Sequence, residues 1–344
     1  MGILPKSLEA LGLDDGPGAG TGLSHPRAIV GYRFDPSVRF ADQAVRKELK
    51  QEIRTVDPGK TRRPVSAEPA EAVESEPGTV LTQGTVFNPS LVVSRLVSEG
   101  GPPRGLDLSG VLAVVRRWRD AVLSHSNELP EQVRGLLSGH NQDGSPIEGP
   151  HLAFVPLAVV GHPHADGRLL GMGLAFPGDM SSEDHGLAMR AVDSVRHIAM
   201  GRLGRWKVET ETRPDPPRGL RPEAWTAHPD GATHWATVTP VVFDRHPKAD
   251  TDAGYQEQVR AMIATACTRI GLPEPREVIV TDVSAHLGAP PAFEFPRLQR
   301  KDGSERRHTH AILVFGEPVC GPVLIGAGRY RGYGACRVLS EMSA

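Results

Sequence analysis

The spacing of hydrophobic and polar positions changes period in a regular order from residue 85 onward. Residues 86–97 are apolar and rich in β-branched side chains, which predicts a strand. Residues 106–125 switch to helical spacing, with Leu112, Val115, Trp118 and Val122 on one face and arginines on the other. A polar loop follows over 138–144. Two apolar strands, 151–160 and 168–176, are joined by the turn-rich segment 161–167. The next helix is expected over 181–200, with Ser181 as N-cap and Glu183 and Asp184 in the first turn, where exposed amides favour carboxylates. A strand over 205–211 closes the unit. The order β-α-β-β-α-β is the ferredoxin-like pattern.

A Pro- and Gly-rich stretch, 213–232, precedes a second pass through the same order. A strand is expected over 234–243 and a helix over 255–270, stopped by Gly271. Strands over 277–283 and 308–315 bracket a basic loop. Short apolar segments, 323–325 and 333–339, flank a glycine-rich loop that reduces or replaces the second helix. The expected fold is therefore α+β, two tandem ferredoxin-like units spanning 85–212 and 233–344. Ahead of them, residues 1–84 read as largely irregular. They hold a turn-rich segment at 14–22, one strand at 28–34 and a short charged helix at 41–54. In the acidic stretch 64–78, Glu68, Glu71, Glu74 and Glu76 stand among Pro, Ala and Ser and bring too little apolar surface to fold.

Composition narrows the picture. Aromatic residues make up 5% of the chain, so the core is mainly aliphatic. The formal net charge of −2 supplies no global field for a polyanion, so a nucleic-acid surface must be local. Such a patch lies between Arg297 and Arg337, where Arg297, Arg300, Lys301, Arg306, Arg307, Arg329, Arg331 and Arg337 face only Asp302, Glu305 and Glu317. Cys267, Cys320 and Cys336 have no C-x-x-C spacing, which argues against a structural zinc site or a disulfide framework and for a reduced, cytoplasmic setting. No apolar run approaches the ~18–20 residues of a membrane span.

The segment Gly321-Pro-Val-Leu-Ile-Gly-Ala-Gly-Arg-Tyr-Arg-Gly-Tyr-Gly-Ala-Cys-Arg337 interleaves glycine with arginine and tyrosine. Gly326, Gly328, Gly332 and Gly334 allow backbone amides to cradle an anion. Arg329 and Arg331 offer bidentate phosphate contacts, and Tyr330 offers a face for stacking. A glycine-bulged terminal hairpin with solvated arginines is the plainer alternative. Arg306 and Arg307 in the basic loop, and Arg245 and Lys248 after the first strand of the second unit, are further candidates for RNA phosphates.

Three loop histidines carry candidate chemistry. His140 lies in Ser138-Gly-His-Asn-Gln-Asp-Gly144, and His162 and His164 lie in Gly161-His-Pro-His-Ala-Asp-Gly167. An imidazole gives or takes a proton near neutral pH. RNA cleavage through its own 2′-hydroxyl needs that chemistry and a cation at the phosphorane, and it needs no metal or other cofactor. His162-Pro-His164-Ala-Asp166 also fits the H-x-H-x-D of metallohydrolases, to which His308 and His310 could add ligands. There Gly167 stands where that motif has a histidine.

These residues carry a family resemblance. Ser138-Gly-His-Asn-Gln-Asp-Gly144, Pro150-His-Leu-Ala-Phe-Val-Pro-Leu157 and Gly161-His-Pro-His-Ala-Asp-Gly-Arg-Leu-Leu-Gly171 resemble, in order, the type I-U (I-G) CRISPR-associated fusion subunit. So do Trp235-Ala-Thr-Val-Thr-Pro-Val-Val-Phe-Asp-Arg-His-Pro-Lys248 and the terminal Gly-Arg-Tyr-Arg-Gly-Tyr-Gly-Ala-Cys-Arg337. That family joins a 5′-handle-capping module to a CRISPR RNA-processing endoribonuclease of the repeat-associated mysterious protein superfamily. The resemblance covers residues 86–340. It implies tandem ferredoxin-like units, metal-independent cleavage of repeat RNA, and retention with the other subunits of a type I surveillance complex. Only about 84 residues stand where the family has its full capping module. The resemblance puts His140 first as general acid or base, with His162 and His164 as alternatives. A non-catalytic RNA-binding subunit of the same complex and a metallohydrolase are the competing expectations.

Overall fold

A computed structural model of the chain describes residues 84–100, 105–249, 251–300 and 302–339. The strand at 28–34, the helix at 41–54 and the acidic stretch at 64–78 lie outside the described residues. In the first sheet, β1 (Val92–Glu99) is flanked antiparallel by β4 (Arg168–Ala175) and β6 (Arg205–Thr210). Strand β3 (Ala153–Ala158) pairs with the other edge of β4, and β5 (His197–Ala199) pairs with β6. The two-residue β2 (Leu106–Asp107) continues the pairing on β4. The order β3-β4-β1-β6 is that of a ferredoxin-like sheet.

Helix α1 (Val111–Ser124) buries Val111, Val114, Val115, Trp118 and Val122. Its start differs from the expected 106. Leu106 is held in the sheet, and Asp107 accepts from the Ser109 amide to cap a 3-10 turn over Leu108–Gly110. The buried stripe is turned accordingly, and Leu112 is only half-buried. A helix that periodicity missed, α2 (Glu131–Ser138), starts after Pro130 and stops at Gly139, whose φ is +73°. That is the usual Pro-start, Gly-stop pairing on an element too short to show a period. Helix α3 (Ser182–Ser194) has the expected cap, with Ser181 accepting from the Asp184 amide. It ends earlier than residue 200 because β5 leaves it to pair with β6.

The second sheet is built from β7 (Ala232–Thr237), β8 (Val241–Val242), β9 (Glu277–Thr281), β10 (His308–Val319) and β11 (Cys336–Val338). The expected strand over 234–243 is thus broken in two. The order β11-β7-β10, with β9 on the far edge of β10, repeats the first topology. A four-residue helix, α4 (Glu223–Thr226), precedes it and buries Trp225. Helix α5 (Asp252–Thr268) fills the first helical position. Between β10 and β11 only a 3-10 turn over Arg329–Arg331 forms, so the glycine-rich loop does replace the second helix.

The fold is thus α+β with two ferredoxin-like sheets. One continuous core draws on both, joining Val111, Val115, Trp118 and Phe154 to Val238, Val242, Leu324 and Tyr333. No helix among the described residues is long and apolar enough to cross a membrane.

Candidate nucleic-acid interface

The glycine-rich loop is folded inward, onto α1 and the start of β3. Gly326, Gly328, Gly332 and Gly334 are all buried. The close approach that glycine permits is made here by protein. A Cβ on Gly332, whose φ is +81°, would lie 2.8 Å from Val111 Cγ2 and 3.1 Å from Val115 Cγ2. Tyr333 is fully buried and its hydroxyl donates to the Pro296 carbonyl. Tyr330 stacks on His151 with ring centroids 3.5 Å apart and 22° between planes, and meets Phe87 edge-on at 6.1 Å. One face of Tyr330 is therefore taken by protein.

The arginines of the loop stay near the surface. Arg329 lies over Tyr330 at 4.6 Å and donates to the Gly326 carbonyl, while its Nε is buried without a partner. Arg331 is exposed. Its guanidinium is held below its ordinary pKa, first by partial burial, then by Arg116 of α1 and Arg306 of the basic loop. Arg119, also on α1, is lowered by burial and then by Arg331, with the neighbouring Asp120 carboxylate acting against both. Among the described residues no carboxylate is ion-paired with Arg116, Arg119, Arg306, Arg329 or Arg331. Guanidinium groups from three chain segments, none of them in an ion pair among the described residues, thus converge, which is the local positive surface that a phosphate backbone requires.

His140 stands at the edge of this cluster. It follows the Gly139 stop of α2 and is exposed. The Ser138 carbonyl serves two partners. It accepts from Arg119 Nη2, and it lies 3.0 Å from His140 Nδ1. A carbonyl can only accept, so His140 Nδ1 carries the hydrogen and Nε2 of the neutral ring keeps its lone pair. The turn thus fixes one tautomer and turns the basic nitrogen away from its own backbone.

His151 is the member of the cluster that motif reading missed. It lies between Pro150 and Leu152 at the approach to β3, half-buried, with no partner for Nδ1. Its pKa is pushed down to about 3, first by burial, then by Arg119, Arg329, His140 and Arg331. The ring is therefore neutral at physiological pH. A Cβ on Gly139 would lie 2.6 Å from His151 Nε2, so the Ser-Gly-His turn is glycine both for its backbone and to admit this ring. Arg116, Arg119 and His151 all come from elements far apart in sequence from the glycine loop.

The other candidates fall elsewhere. His162 and His164 are exposed in the β3–β4 hairpin, at the opposite end of β3 from His151. The six residues of β3 alone separate the two ends by roughly 20 Å. His162 Nδ1 accepts from the His164 amide at 3.2 Å, and Asp166 faces Arg168 at 3.7 Å. Among the described residues no group of three His, Cys, Asp or Glu side chains is placed to hold a metal. His162, His164 and Asp166 are thus not brought together as a metal-binding group, and the metallohydrolase expectation is corrected on that ground. His308 Nε2 bonds the Ala292 carbonyl at 2.8 Å, and the buried His310 bonds Thr237 Oγ1 and the Pro290 carbonyl. Arg245 and Lys248 are exposed beyond β8, where the Lys248 backbone is pinned by Gln258. Arg306 donates to the carbonyls of Phe243 and Asp244, and Arg307 lies 5.7 Å over the Tyr255 ring.

Among solved structures the chain is similar to a RAMP protein that binds different RNA substrates, at 11% identity and a TM-score of 0.36, over 73% of this chain and 100% of that one. It is similar to a CRISPR-associated Cas6 protein at 10% identity and a TM-score of 0.36, over 73% and 99%. A Cas6-related protein of Pyrococcus furiosus is matched at 11% identity and a TM-score of 0.36, over 74% and 100%. Among curated protein sequences none matches. The model of the CRISPR-associated protein, GSU0054 family, matches residues 95–338, well over half of the chain. Those residues hold both sheets, the His140 turn, His151 and the arginines of the glycine loop. The chain belongs to this CRISPR-associated family.

Proposed function

We propose that the chain binds CRISPR repeat RNA across the arginine cluster and cuts it without a metal, with His140 as general acid–base. The observation that carries this reading is the Ser138 carbonyl shared by Arg119 and His140, which places an exposed imidazole of fixed tautomer beside unpaired guanidinium groups. In the cleavage step His140 Nε2 takes the 2′-hydroxyl proton, or in its protonated form gives one to the departing 5′-oxygen. Either role is worth ~10²–10⁴-fold in rate. Arg329 and Arg331 hold the scissile phosphate and stabilise the charge that builds on it. His151 is neutral and stacked, so it acts as a positioning residue for Tyr330 and the turn. His162 and His164, at the far end of β3, belong to neither step.

This reading makes the chain the processing half of a type I-U fusion subunit that keeps its product inside the surveillance complex. The test is incubation of the full chain with repeat RNA in EDTA. Product ending in a 2′,3′-cyclic phosphate is expected. Tight binding without any product would leave an RNA-holding subunit and refute the catalytic assignment. Loss of cleavage on chelation would refute the metal-independent step.

A further inference from the structure

A second feature lies at the same end of the second sheet, two strands across from the glycine loop. A cavity of about 170 Å³ opens between the start of α5 and the ends of β9 and β10. Its lining includes Tyr255, Gln256, Thr281, Asp282 and His308. The volume matches about five or six waters, the room of one planar heterocycle.

Four observations give this cavity a ligand class. Asp282 is exposed, and its carboxylate makes no hydrogen bond or ion pair with any described residue. Ala292 is tied to both walls, its amide donating to the Asp282 carbonyl and its carbonyl bonding His308 Nε2. The next residue in the chain after that anchor is Phe293, which is 75% exposed. Arg307 lies over Tyr255 at the wall. Finally, Arg306 joins this place to the proposed cleavage site. It bonds the carbonyl of Phe243, a lining residue, and it is one of the two cations that lower Arg331. A basic track thus runs from Arg331 through Arg306 to Arg307 and ends at the Tyr255 ring and a carboxylate with no partner among the described residues.

A carboxylate repels phosphate, so its place beside such a track selects for the base and not the backbone. Guanine alone presents two adjacent donors, N1–H and the 2-amino group, to a single carboxylate. Aromatic side chains stack any base at ~1–3 kcal/mol each. We propose that this cavity takes one unpaired guanine of the bound RNA, stacked against Phe293 and Tyr255 with Asp282 on its Watson–Crick edge. The proposal rests on the reading that the arginine cluster binds RNA.

The experiment uses the full chain and short oligouridines carrying one central guanosine, inosine, adenosine or cytidine. The guanosine oligomer should bind about tenfold tighter than plain oligouridine, and inosine, which lacks the 2-amino group, should lose most of that gain. Asp282→Asn should abolish the guanosine preference and leave oligouridine affinity unchanged or slightly raised, since a charge that repels phosphate is removed. Phe293→Ala should weaken the guanosine oligomer more than plain oligouridine. Both side chains are exposed, and an unchanged melting temperature confirms folding. Binding of all oligomers with equal affinity by the wild-type chain would overturn the guanine pocket while leaving the RNA track standing. So would a guanosine preference that survives Asp282→Asn. Failure to bind any oligomer would overturn the RNA reading itself and the pocket with it.

Discussion

His151 makes the stability of this fold depend on pH in a way that can be worked out in advance. The ring is neutral in the folded chain because burial and four neighbouring cationic or ionisable groups push its pKa down to about 3, from 6.5 in the unfolded chain. A depressed pKa on a base means that the unfolded state binds the proton first. The contribution is therefore fully present above pH 6.5 and is lost as the pH falls toward 3. The slope is ~1.36 kcal/mol per pH unit in that window. From pH 7.5 to pH 5 the loss amounts to about 2 kcal/mol, an upper bound for a half-buried ring. That is a substantial part of the ~5–15 kcal/mol that a domain has in all. The perturbation is His151→Phe, which retains an aromatic partner for Tyr330 but cannot titrate. Urea unfolding of both proteins at pH 7.5, 6 and 5 is the assay, because every other titrating group cancels in the difference. The wild type should lose about 2 kcal/mol more than the variant between the two extremes. Equal losses would refute the buried, neutral state of His151 and with it the packed form of the glycine loop.

His140→Ala should slow cleavage of repeat RNA by ~10²-fold or more with little change in affinity; wild-type rates in single-turnover measurements would remove His140 from the mechanism. Arg329→Ala with Arg331→Ala should weaken RNA binding and reduce the slope of log K against log salt by ~0.7 for each phosphate that is no longer neutralised, read from a salt titration. Gly332→Val places a branched side chain against Val111 and Val115 at a φ of +81°, so it should destabilise by ~1–3 kcal/mol and lower the melting temperature before RNA is added. Arg331→Gln should raise the melting temperature slightly at low salt and weaken RNA binding, and the gain in stability should shrink as salt screens the cluster. A lower melting temperature for that variant at every salt concentration would contradict the absence of a carboxylate partner.

The tandem ferredoxin-like order was legible because period and length separate strands from helices in this chain. The switch from an apolar, β-branched run before 100 to the Val111–Val122 stripe, and the repeat of that switch after 232, leave few other topologies. Helix α2 was not legible by period, since eight residues make two turns and Gly135 sits in the middle. Its Pro130 and Gly139 boundaries were the available signal. In the site, His140 could be singled out because it lies in a polar, glycine-bearing loop and the family resemblance puts it first. His151 could not, because nothing in the Pro150–Leu157 segment that carries the resemblance sets this histidine apart from the strand it leads into. Its signal was parity alone, which puts it on the same face as Ala153 and Val155. The meeting of Arg116 and Arg119 with Arg331 depends on a contact between segments some two hundred residues apart, and no local pattern encodes it.

The glycine loop carries two demands that pull against each other. Its backbone and aromatic side chains are placed by packing: Gly332 against α1, Tyr330 on His151, and Tyr333 in the core. Its arginines are gathered with Arg116, Arg119 and Arg306 and have no carboxylate partners among the described residues. A cluster of that kind opposes folding, because each guanidinium is partly desolvated beside others of the same sign. Ion pairs would relieve it, but a carboxylate in the cluster would also compete with phosphate. Packing therefore stabilises the loop where charge cannot. An unpaired arginine held by a buried backbone gives up less side-chain freedom when a phosphate arrives than one on a mobile loop would. The same reasoning explains why the glycines are buried although the loop's proposed task lies at the surface. They let the backbone sink far enough for Tyr330 to reach His151, and that contact sets where Arg329 and Arg331 emerge around the His151 ring.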